Sequence, residues 1–179
     1  YITLELPPPT IFCRVSAAIL GIPISSINRS NVKSVQAQIK ARENELGKFV
    51  VAQFPAKATT VTEIEEWIER VEEKYGQKMD LLVVDYADKL KSDKSEEEYQ
   101  AMGTVYEKLR LLVHSRDMYF WTASQATRGK ERKEGQLLGE TDIADSQNKL
   151  RVADVFVSAN RTSRFRLQSK EIQMRYKLS

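Results

Sequence analysis

At 179 residues, 41% of them hydrophobic, the chain is sized for one domain and has enough apolar side chain for a buried core, which excludes a disordered polymer. Charged residues make up 30% of the sequence, and no apolar run approaches the roughly 18 residues of a membrane-crossing helix, so a helical span is excluded. The net charge of +3 is too small to identify a nucleic-acid binder on its own, and a lone cysteine, Cys13, can form neither an internal disulfide nor a thiol pair for zinc, a usage that suits a reducing cytoplasm.

In chain order, Tyr1 to Leu6 alternates and is rich in strand-forming residues, and the prolines at 7 to 9 stop it. Thr10 is placed to cap a helix running to about Leu20, in which Cys13 serves packing. With neither an initiator Met nor a signal-peptide layout, the sequence reads as part of a longer polypeptide. Val32, Val35, Ile39 and Leu46 give helical spacing over Asn31 to Leu46, Gly47 ends it, and Phe49 to Ala52 forms a second strand. Thr60 with Glu63 makes a capping box for a helix over Val61 to Tyr75, whose apolar stripe includes Ile64, Trp67, Ile68 and Val71 and whose stop is Gly76.

Leu81 to Val84 is continuously apolar and ends in Asp85, the pattern of a central parallel strand covered on both faces. Residues 96 to 115 read as a helix and Tyr119 to Ala123 as a strand, with Trp67 and Trp121 at core positions. A polar stretch of about 20 residues follows, longer than compact domains usually tolerate without a function for it, and it carries Arg128, Lys130, Arg132 and Lys133 against one Glu131. Val152 to Ala159 forms a further strand, and Phe165 to Leu178 alternates like a terminal hairpin in a basic tail. Strands and helices alternating in this way predict an α/β domain over 1–179 with a mostly parallel sheet flanked by helices, whose ligand sites lie at the carboxyl ends of the strands.

Three side chains fall at such ends. Asp85 would emerge where a nucleotide-bound magnesium is held, although a strand-terminal aspartate capping a loop has the same pattern. Glu5 would reach the same crevice and could orient and deprotonate an attacking water, and it also fits a solvated strand position. Ser124 and Gln125 follow the strand Tyr119 to Ala123, where a neutral amide can sense a γ-phosphate; a polar turn is the alternative. His114 is assigned no chemistry.

The order TLEL, LLVVDYADKL, FWTASQATRG and DIADSQNKLRVADVFV resembles the motif series of DnaB-type replicative helicases over roughly residues 1 to 162. The resemblance implies a RecA-like P-loop NTPase core with a C-terminal β-hairpin, using ATP and Mg²⁺. It implies Glu5 as the catalytic base, Asp85 as the magnesium-holding Walker B residue, Gln125 as the γ-phosphate sensor and Arg128 as the arginine that follows it. It also places Asp145, Ser146 and Gln147 on a loop near single-stranded DNA, with Ala153 and Asp154 opening the next strand. Lys89, Lys91 and Lys149 follow the functional edge and are candidate phosphate contacts, or else ordinary solvated lysines.

The chain departs from the family pattern in two places. The glycine-rich loop that cradles phosphates is not in this sequence and would lie, with its strand and helix, upstream of Tyr1. The C-terminal stretch is shorter than the family's, so Arg161, Arg166 and Lys170 all remain candidates for the basic residue reaching a neighbouring subunit's ATP site. The resemblance implies a ring-forming translocase on single-stranded DNA, hexameric, with a primase or helicase loader as partner. The same core would serve a RecA- or RadA-type recombinase or a KaiC-like ATPase, and a nonhydrolysing adaptor or loader subunit is a further alternative.

Overall fold

The computed structural model describes residues 1–92, 98–125, 149, 151–160 and 171–176. Strand β1 is Ile2–Thr3 and helix α1 is Pro8–Leu20, followed by α2 (Val32–Ala41), β2 (Ala52–Gln53), α3 (Val61–Tyr75), β3 (Leu81–Asp85), α4 (Glu98–Ser115), β4 (Tyr119–Thr122), β5 (Val155–Asn160) and β6 (Glu171–Tyr176). Strands β1 to β4 form one sheet in the order β2-β1-β3-β4, with every neighbouring pair parallel. Strands β5 and β6 pair antiparallel as a separate ribbon, so the partner of the terminal strand is the preceding one, and residues 165–170 and 177–178 of the hairpin read from sequence lie outside the described residues. The α/β class, the largely parallel sheet and β3 in an interior position are as the sequence predicts.

Helix boundaries show how local chemistry sets the elements. Helix α1 starts at Pro8 behind an extended Pro7, because prolines in the first turn give up N–H groups that have no helical partner there. Thr10 is therefore inside the helix and not its cap, its N–H bonded to Pro7 O at 2.9 Å. Gly21 ends it in the left-handed region at φ 66°, and its N–H bonds to the last turn's carbonyls. Helix α2 stops at Ala41, five residues before the predicted Leu46, and a turn held by Leu46 N to Arg42 O at 3.1 Å replaces the rest. The second strand is likewise shorter and later than Phe49 to Ala52, at Ala52–Gln53.

Helix α3 keeps its predicted limits. The Thr60 N–H donates to the Glu63 carboxylate at 2.7 Å and Thr60 Oγ1 accepts from Glu63 N at 3.3 Å, the two halves of a capping box. Substituting Thr60→Ala removes one half, and thermal melting should show a loss of about 1 kcal/mol; an unchanged midpoint would mean the first turn is held by packing alone.

The core lies between one face of the sheet and helices α3 and α4: Ile2, Leu4, Leu82 and Val84 meet Ile64, Ile68, Val105, Leu109 and Leu112. The other face is less covered than a continuously apolar β3 suggested. Leu81, Tyr119 and Trp121 are 53%, 79% and 57% exposed, and the register pairs Leu81 with Tyr119 and Val83 with Trp121, so these side chains share a face. Trp121 is thus not the core residue predicted, whereas Trp67 packs against the core and stacks edge-on with Phe54. Among the described residues nothing pairs with the outer edge of β4. No helix among them is long and apolar enough to cross a membrane.

Candidate active site at the carboxyl ends of the strands

Parallel pairing puts the ends of β1, β3 and β4 on one rim, and the chain carries Glu5, Asp85 and Gln125 there from three distant places in sequence. Backbone bonds fix the rim. Leu4 N donates to Asp85 O at 3.1 Å, and the Thr122 hydroxyl donates to Val84 O at 2.8 Å while accepting from Ala87 N at 3.0 Å, so the last residue of β4 clamps the turn that leaves β3. Thr3 Oγ1, fully buried, donates to Leu6 O at 2.7 Å and turns the chain so that Glu5 faces outward.

Tyr86 joins two of the three side chains. Its hydroxyl donates to Glu5 Oε1 at 3.3 Å and accepts from Gln125 Nε2 at 2.7 Å, satisfying its donor and an acceptor position together. The adjacent Asp85 takes a different partner, accepting from the Tyr1 hydroxyl at 2.7 Å. Desolvation, and then the hydrogen bond to Asp85, raise the Tyr1 phenol well above its ordinary range.

The ammonium of Lys89 sits 2.9 Å from Glu5 Oε1 and 5.3 Å from the centre of the Tyr86 ring. The hydrogen bond from Lys89 is the main cause holding the Glu5 carboxyl below its usual value, with the Lys89 charge and the Tyr86 hydroxyl adding to it, and the same bond raises Lys89 in return. Glu5 is therefore ionised at neutral pH and remains half exposed.

Beside this group lies a second, buried one. Lys149 places its ammonium 2.8 Å from Asp88 Oδ1 and 3.2 Å from Ser124 Oγ, with the Tyr106 ring centre 5.5 Å away. Asp88 also accepts from Tyr106 at 2.6 Å and from Ser124 at 2.8 Å. Burial, then the charge of Asp88, push the Tyr106 phenol far above its ordinary value.

Among the candidates from sequence, Glu5, Gln125 and Lys89 thus form one bonded group with Asp85 at its edge. Lys149 does not have the solvated position expected of it. It is 6% exposed and neutralised by Asp88, which leaves no free cation for a phosphate; reversing its charge would disrupt the interior before it reported on DNA. Lys91 is exposed, its N–H on Thr59 O. Strand β5 begins at Val155 and not at the predicted Val152, so Ala153 and Asp154 stand before it instead of opening it, and the Asp154 carboxylate pairs with Arg110 at 3.2 Å. Arg128, Asp145, Ser146, Gln147, Arg161, Arg166 and Lys170 lie outside the described residues. Sequence reasoning passed over Tyr1, Asp88 and Tyr106; the three-residue step from Asp85 to Asp88 across a short turn was a signal for Asp88 alone.

Among the described residues no cluster of three or more His, Cys, Asp or Glu forms a metal cage. Magnesium does not require one, since it keeps several waters and takes one or two carboxylates together with phosphate oxygens. A single hard oxygen donor at a strand end, Asp85, fits that habit.

Over residues 1–177 the chain matches the family described as "DnaB-like helicase C terminal domain". It is similar to the DnaB-like replicative helicase of Enterobacteria phage T4, 23% identical over 188 residues that cover 98% of this chain and 39% of the relative. Its fold is similar to that of a DnaB-like replicative helicase solved for its interactions with primase, with TM-score 0.72 and 16% identity over 96% of this chain and 43% of that one. A second solved structure, of an ATPase domain, gives TM-score 0.71 and 16% identity over 97% of this chain and 64% of that one. The chain therefore spans about two fifths of its phage relative.

Proposed function

Since this chain belongs to the DnaB-like helicase C-terminal domain family, we propose that it forms the motor of an ATP-driven replicative DNA helicase that moves along single-stranded DNA. The observation that carries the proposal is the meeting of Glu5 and Gln125 on the Tyr86 hydroxyl, beside Asp85, at the carboxyl ends of a parallel sheet. A carboxylate and a neutral amide held 81 and 39 residues from the tyrosine they share have no evident structural need to meet there. An ATP site does have that need.

In this reading a water beside Glu5 loses its proton to the carboxylate as its oxygen bonds to the γ-phosphorus, and the bond from that phosphorus to the β-phosphate oxygen breaks to release ADP and phosphate. Asp85 is the residue that would hold magnesium, directly or through water, and such an ion would supply positive charge to the phosphate oxygens. Gln125 senses the γ-phosphate and passes its loss, through Tyr86 and the end of β4, toward the segment that follows. Among the described residues the outer edge of β4 is unpaired, a position where a further parallel strand can add.

The motor works as a ring, hexameric in our reading, with ATP between subunits and Arg161, Arg166 or Lys170 reaching the neighbour's site. Lys91 on the rim, with Arg128, Asp145, Ser146 and Gln147, faces the single strand, and a primase or loader is the protein partner. The family match favours this reading over a recombinase. The test uses the complete polypeptide: ATP turnover is measured with and without single-stranded DNA. Turnover that rises with added strand is expected, and absence of any turnover would leave the adaptor reading in place.

A further inference from the structure

The geometry assigns Lys89 a restraining role: we propose that its ammonium holds Glu5 away from the attacking water, and that a phosphate oxygen competing for the same cation releases it. The inference rests on the hydrolytic reading of the site given above.

A general base must be free to accept a proton and able to align with the water it activates. In Glu5 one carboxylate oxygen is not in that condition. Oε1 is occupied twice, by Lys89 Nζ at 2.9 Å and by the Tyr86 hydroxyl at 3.3 Å. Tyr86 belongs to the chain of contacts that leads to Gln125, so its bond suits a site at work. The Lys89 bond does not, because a cation on a base lowers its affinity for the very proton it must take.

Lys89 is also built to move at one end only. Its backbone is pinned on both sides, by its N–H on Tyr86 O at 3.0 Å and by Lys57 N on its carbonyl at 2.6 Å. Its side chain is 28% exposed and its partner carboxylate 47% exposed, so the ammonium can exchange partners at little cost, as exposed ion pairs do. A phosphate oxygen carries the same kind of charge as the carboxylate and is a natural competitor. Lys149, by contrast, is committed to Asp88 in the interior, so of these two lysines Lys89 alone is in a position to switch.

Phosphate oxygen can come from the DNA backbone or from the nucleotide, and the experiment separates them. ATP turnover of the complete polypeptide is followed across pH, with and without oligo-dT, for wild type, Lys89→Met and Lys89→Arg. With the cation gone, Lys89→Met should raise DNA-free turnover roughly two- to fivefold, the range open to an exposed pair, and move the acid limb of the rate profile to higher pH, since Glu5 then binds its proton more readily. Among the described residues Tyr86 is the other titratable group on Glu5, and it is unaltered. Lys89→Arg should restore the wild-type profile.

A rise confined to the DNA-free arm assigns release to the strand, whereas an equal rise in both arms means that neither phosphate displaces Lys89 and overturns the release. Unchanged DNA-free turnover with an unshifted acid limb overturns the proposal while leaving the hydrolytic site standing. A wild type that turns over no ATP overturns the hydrolytic reading and the restraint with it. If Lys89→Met fails to fold, Lys89→Gln gives the same readout with a polar side chain.

Discussion

Glu5→Gln should leave ATP bound and lower its hydrolysis by about 10²- to 10⁴-fold, the contribution of a positioned general base. The substitution keeps the shape of the side chain, and a glutamine oxygen can still accept from the Tyr86 hydroxyl, so the link to Gln125 survives. What disappears is proton affinity, together with the charge that attracts Lys89. Equilibrium binding of a fluorescent ATP analogue and steady-state turnover in the complete polypeptide separate the two effects. Turnover within a few-fold of wild type would remove Glu5 from the reaction; loss of binding would make it part of the nucleotide cradle.

The largest effect on stability is expected at Lys149→Met. The ammonium is almost wholly enclosed and Asp88 nearly so, with 6% and 17% of the side chains exposed. Removing the cation leaves a mostly buried carboxylate to which, among the described residues, Tyr106 and Ser124 still donate. Breaking a buried pair from one side costs about 3 kcal/mol or more, well above the cost of losing the Thr60 cap. Chemical denaturation of Lys149→Met, Asp88→Asn and the double variant would measure this. The double variant should recover much of the loss, because no unpaired charge remains and the asparagine amide oxygen still accepts hydrogen bonds. Additive losses, or single-variant costs below about 1 kcal/mol, would show that water reaches the pair.

Local features of this chain were legible where the controlling chemistry is local. The Thr60–Glu63 box and Gly76 fix both ends of α3 within a few residues, and the structure keeps them. The placing of Glu5, Asp85 and Gln125 on one rim was legible for a different reason: parallel strands point their carboxyl ends the same way, so a polar residue just past each apolar run must arrive at a common edge. What stayed hidden depends on partners far away in sequence. Nothing near Lys149 announces that Asp88, 61 residues earlier, will enclose it, and Trp121 reads as core because its exposure depends on what lies against the far side of the sheet. The prolines misled for a simpler reason. They break helices from within but are welcome in a first turn, so α1 begins among them.

The outer edge of β4 bears on how the polypeptide can be handled. Its backbone groups, unpaired among the described residues, and the bare rings of Tyr119 and Trp121 make a template on which a second molecule's strand can zip. Preparations of these 179 residues alone should therefore cloud and precipitate as concentration rises. Trp121→Lys, which sets a charged gatekeeper on that bare rim, is the simplest way to keep them in solution.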